Sequence, residues 1–170
     1  GWKSVDAPPT VASILPTTQA GTTADVVVTG TQFVTGLNVN GSGSFAKIER
    51  VNSGIIDFYN NISAENGGSI TAEDVTLTGA INRAIVANGM ATILASSSDA
   101  SNSKFAITSS NSSVEFNFGV ARFCEVAVSA STSNLLLKNA DFSDWIDLPN
   151  MGDVVRIDSG SNVDMRSVNL

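Results

Sequence analysis

The feature that most constrains this chain is an internal repeat of about 22 residues. Five segments share one pattern: an apolar residue, a small polar stretch with Gly, Ser or Asn, then alternating apolar residues. They begin at Ile62, Ile85, Ile107, Val128 and Ile157, at intervals of 23, 22, 21 and 29 residues. The long interval holds an extra piece around residues 148–153, and without it the spacing returns to about 23. A fixed period of this length is one supersecondary unit that cannot bury its apolar face alone. Stacking such units at roughly 4.8 Å sets like residues over like and completes the backbone ladders. The expected fold is therefore all-β, a parallel β-solenoid.

The repeat predicts which side chains point inward. Ile85, Ile107, Val128 and Ile157 form one column. Val114, Phe116 and Phe118 alternate inward in one coil, Leu135 and Leu137 in the next, Val163 and Met165 in the last. No window carries a sustained 3.6-residue apolar stripe, so helices are not expected. Upstream the register is shorter: Ile48 opens a similar pattern 14 residues before Ile62, too close for a full coil.

Composition narrows the function. The 170 residues make one domain or two small ones, and the net charge of −7 repels phosphate, which excludes a nucleic-acid role. No stretch reaches the ~20 apolar residues of a membrane helix, so membrane insertion is not expected, and no export signal is visible. The chain has no histidine and a single cysteine, Cys124. That removes histidine-based triads, His-ligated zinc and thiolate zinc clusters. Cys124, in an apolar stretch, reads as a small buried hydrophobe. No catalytic residue, metal or cofactor is expected.

The repeat segments resemble right-handed parallel β-helices of the kind found in phage tailspikes, viral fibres, adhesins and polysaccharide-degrading enzymes, over residues 62–170 and extending to 46. A different resemblance lies upstream. Pro8-Pro9-Thr10-Val11-Ala12-Ser13-Ile14-Leu15-Pro16, Ala20-Gly21-Thr22-Thr23 and Val26-Val27-Val28-Thr29-Gly30-Thr31-Gln32-Phe33-Val34-Thr35-Gly36 look like the opening of an IPT/TIG immunoglobulin-like domain. That family implies a sandwich over residues 8–79, closed by a strand at 72–77 and followed by a smaller β domain. The two resemblances compete for residues 46–79. The reading favoured here is a β-rich attachment segment at 1–45 and a β-helix at 46–170.

Three carboxylates, Asp141, Asp144 and Asp147, flank Trp145 ahead of the extra piece. A carboxylate pair is what a glycosidase uses, and three could hold calcium. A solvated acidic loop explains them with less. Trp145, with Phe142 and Ile146, is either core, a subunit contact or a sugar-stacking platform. The candidate glycan or partner residues are thus Asp144, Trp145, Asp147 and Asn150. Trp2, Val11, Ile14 and Leu15 are the candidate anchor of the N-terminal segment.

A short solenoid exposes strand edges at both ends, and these call for a partner. The β-helix resemblance implies a homotrimer. Together these readings lead to a non-enzymatic virion structural protein, a tail fibre, spike or receptor-binding protein facing a host-surface glycan and assembled with other virion proteins. A capsid decoration protein held by its N-terminal segment is one alternative. An extracellular or cell-surface adhesin fragment, or a polysaccharide-active enzyme, is another.

Overall fold

The computed structural model describes residues 26–33, 37–52, 60–144, 146 and 154–170. Short runs of β-branched and aliphatic residues, cut by Gly, Ser and Asn, form thirteen strands and no helix among these residues. They are β1 (Val26–Phe33), β2 (Leu37–Asn40), β3 (Phe45–Asn52), β4 (Asn60–Glu65), β5 (Ser69–Glu73), β6 (Arg83–Asn88) and β7 (Thr92–Ser96). The rest are β8 (Phe105–Ser110), β9 (Ser113–Asn117), β10 (Val126–Ser131), β11 (Asn134–Lys138), β12 (Val155–Ile157) and β13 (Asn162–Arg166). Odd-numbered strands stack into a seven-stranded sheet and even-numbered strands into a six-stranded one. All neighbours are parallel. A third face is joined by the bridges Thr76–Asp99–Val120–Asp141–Asn169. The chain is a parallel β-solenoid, with about four regular turns.

Stacking creates the core. Leu37, Ile62, Ile85, Ile107, Val128 and Val155 share one column of the six-stranded sheet. Ala46, Ile70, Ile93, Val114, Leu135 and Val163 share one column of the other sheet. Column members from Leu37 to Val128 and from Ala46 to Leu135 are buried, whereas the last rung is half-covered: Val155 and Val163 are partly buried. Packing is by volume complementarity. Phe116 is stacked between Ala95 and Leu137, lies 5.8 Å from the Phe142 ring, and fills the space left by the missing side chain of Gly119.

Each regular turn has three corners marked by left-handed residues. One column is Gly41, Asn66, Gly89, Asn111 and Thr132; a second is Asp74, Ser97, Phe118, Asn139 and Ser167; a third is Gly79, Asn102, Phe123 and Asp144. The physical demand is shared: the chain must bend sharply while its N–H still reaches the next coil. Phe118 N–H donates to the Lys138 carbonyl at 3.0 Å and Phe123 N–H to the Asp144 carbonyl at 3.0 Å. The ladder therefore continues through these corners, which satisfies their N–H groups. Asn, Asp and Gly meet this geometry at low cost, while bulky side chains do not. Met90 also stands in the left-handed region, with φ 64° and a side chain 75 % exposed. Met90→Asn is expected to raise stability by about 0.5–1 kcal/mol, read as a higher urea midpoint at unchanged m.

Several inward assignments are confirmed and several are corrected. Ile85, Ile107, Val128, Val114, Phe116, Leu135 and Leu137 are buried. Phe118 is instead 61 % exposed, because the left-handed corner interrupts the in–out alternation. Val155, not Ile157, continues the isoleucine column; Ile157 pairs with Ala130 and is exposed. Met165 lies in register with Leu137, but β13 is the outermost strand of its sheet and Met165 is exposed. The short Ile48–Ile62 interval also resolves: Ile48 belongs to the seven-stranded sheet, paired with Ala72, while Ile62 belongs to the six-stranded one and pairs with Leu37.

The sandwich expectation for residues up to 79 is overturned. Residues 72–77 close no sandwich, since β5 lies between β3 and β7 within the solenoid and Val75 and Leu77 are buried on its third face. Paired strands reach upstream of residue 46 to β2 and β1. The Pro-rich stretch that opens the immunoglobulin-like resemblance lies outside the described residues.

Candidate functional site

Of the four candidate binding residues, Asp144 lies within the described part and Trp145, Asp147 and Asn150 lie outside it. So do the anchor candidates Trp2, Val11, Ile14 and Leu15. Asp144 is exposed at the third corner column, with φ 58°, and its carbonyl accepts the Phe123 N–H. Phe142, read as core or contact, is fully buried, whereas Ile146 is exposed. Among the described residues no group of three metal-binding side chains converges.

Asp141, the first of the three aspartates, is a structural carboxylate. Arg122 grips its Oδ2 through Nε and Nη2, the Nε contact at 2.9 Å. Oδ1 accepts the Ser143 N–H at 3.0 Å and the Asn169 amide at 3.2 Å. These charge-assisted bonds hold the carboxyl well below the usual carboxylate range, with the Arg122 hydrogen bond the largest cause. A depressed acid contributes stability that is present above its unfolded pKa, near 4, and is lost as pH falls below that value. The pair is part-exposed, so its contribution is at most about 1 kcal/mol. Asp141→Asn is expected to lower stability at pH 7 and to flatten its decline below pH 4, measured by urea melts across pH.

This pair lies on the third face, between the second and third corner columns. In the coil from Phe118 to Phe123, Gly119 and Ala121 point inward and are buried, while Val120 and Arg122 face out. Phe118 and Phe123, at the two corners, are 61 % and 50 % exposed. The equivalent corner positions in neighbouring coils are Ser97 and Asn139, and Asn102 and Asp144. One coil thus places a phenyl ring at either end of a polar face. Sequence reading placed Phe118 inside and passed over Phe123 and Arg122. The signal was the repeat: Val120 and Asp141 are bridged 21 residues apart, so Arg122 stands one coil from Asp141.

A second recess is less promising. An open groove of about 220 Å³ runs along the first corner column, past Met90, Asn111, Thr132 and Asn134. The buried hydroxyls of Ser112, which lines it, and of Ser133, which lies next to its lining residues in the chain, are already committed. Ser112 and Ser133 each donate to a carbonyl two residues back, at 2.9 and 2.8 Å, and accept an N–H from the preceding coil. Cys124 follows the same corner logic: its thiol, like the hydroxyl of Ser103 in the preceding coil, contacts the carbonyl two residues back. Burial pushes the thiol up to about 11, which suits a packing residue rather than a nucleophile.

No family model, no curated protein and no solved structure matches this sequence.

Proposed function

We propose that this chain is a non-enzymatic attachment protein, a tail fibre, spike or receptor-binding component of a bacteriophage, that presents a rigid solenoid to a host-surface glycan. The observation that carries this reading is the exposed third face. Two phenyl rings flank a guanidinium held in place by a carboxylate, on a scaffold whose backbone ladders run through the corners at both rings. A stacked ladder of this kind gives a stiff display surface, because each coil is held by its neighbours on both sides. The acidic charge of −7 favours uncharged surface ligands over phosphate-rich ones. A homotrimer on the virion surface, sharing the exposed edge of the terminal coil, completes the proposal.

The test is a glycan array probed with the full chain, with native mass spectrometry on the same sample. Saturable binding to cell-surface-type glycans without their turnover, by a trimer, is the expected result. Binding to no glycan, or hydrolysis of the bound glycan, overturns the attachment reading.

A further inference from the structure

We propose that the face between Phe118 and Phe123 binds a neutral saccharide, the two rings stacking on sugar C–H faces while Arg122 donates to hydroxyls between them. This inference rests on the attachment reading above and gives it a site and a ligand class.

The first argument is conformational. Phe118 and Phe123 both adopt left-handed backbone, with φ of 52° and 55°. The same positions one coil away hold Ser, Asn or Asp, residues that take this geometry easily. Two bulky aromatics here are an outlier, and neither is offset by burial. Strain that brings no packing gain in the fold is expected where the side chain serves a ligand.

The second argument is spacing and polarity. The two phenylalanines are five positions apart along the chain, so their Cα atoms lie at most about 17 Å apart. That reach suits a short oligosaccharide laid across the face. Arg122 has five N–H donors, of which two go to Asp141, leaving three for a ligand. The ion pair fixes the guanidinium before binding, which lowers the ordering cost of recognition. Asn169, bound to the same carboxylate, puts an amide on this face beside the guanidinium.

The third argument selects the charge of the sugar. Asp99 and Asp144, besides Asp141, lie close enough to act electrostatically on Arg122. Three carboxylates around one guanidinium leave the face net negative. A uronate or sialate would be repelled, whereas a neutral hexose loses nothing and gains the donors.

The experiment compares the full chain with Phe118→Asn, Phe123→Asn, their double variant and Arg122→Gln. The probes are linear neutral hexose oligosaccharides alongside hexuronate and sialylated counterparts. Asparagine is suited to left-handed backbone, so the phenylalanine variants are expected to fold with equal or higher melting temperature. A loss of binding in them cannot be ascribed to unfolding. The expected result is neutral-glycan binding by the wild type, weakened at least tenfold by each Phe variant and by Arg122→Gln, and retained in Phe118→Tyr. Undiminished binding by the double variant overturns this face and leaves the attachment reading standing. Preference for the acidic probes, or a changed oligomeric mass in the double variant with binding intact, also overturns it, the latter marking a subunit contact. Absence of glycan binding by the wild type overturns the attachment reading itself.

Discussion

Replacing Phe116 by alanine is expected to remove about 3–5 kcal/mol of folding stability, a large part of the roughly 5–15 kcal/mol that domains hold. The side chain is fully buried and among the largest in the core. Its neighbours in register are Ala95 and Leu137, and its ring lies against Phe142. Nothing beside it is placed to refill the volume, because the surrounding backbone is tied into ladders on either side. The complementary change is Gly119→Ala. A methyl group there would run into the Phe116 ring, so the core must shift, at about 1–3 kcal/mol. The two costs are coupled. In a double-mutant cycle, Phe116→Leu is expected to relieve part of the Gly119→Ala penalty, and an additive cycle would refute the steric account. Equilibrium urea unfolding measures all four variants.

The second large effect is Ile107→Asp, which is expected to abolish folding at 25 °C. Ile107 lies within the aliphatic column of the six-stranded sheet, between Ile85 and Val128. An unpaired carboxylate there costs several kcal/mol even if it takes up a proton. In a stack, stability is approximately a sum of coil terms and nearest-neighbour terms, so a broken central coil removes two interfaces at once. The same substitution at Met165 is a control, since that residue is 42 % exposed on the outermost strand. Met165→Asp is expected to stay folded with less than about 1 kcal/mol lost. Circular dichroism and amide exchange would separate the outcomes, and equal effects at the two positions would contradict the stacked-coil energetics.

Why some of the site escaped sequence reading can be argued residue by residue. Alternation correctly buried Val114 and Phe116, because β9 is a regular strand with period two. It failed at Phe118 because that residue lies just past the strand, where positive φ reverses the pattern. Nothing in a single Phe marks it as left-handed; Asn139 is legible as a corner, and Phe118 is a corner through its register with Asn139 and Ser97. Ile157 misled for a related reason. The extra piece before β12 shifts the register by two, so that Val155 takes the column position and Ile157 goes to the edge. The aspartates around Trp145 suggested a local cluster, yet Asp141 is paired with Arg122, one coil earlier.

What the sequence determined by itself was the period, and from it the class of fold. A 22-residue repeat of small polar corners and aliphatic strands has few ways to bury its apolar residues other than by stacking like on like. Tertiary structure alone decided which residues meet across coils and which corners turn bulky side chains outward. Those outcomes depend on register and on the backbone angle at each corner, and neither is encoded in the local pattern of apolar and polar residues. The short Ile48–Ile62 interval shows the difference: as sequence it broke the repeat, and as structure it is the step from one sheet to the other.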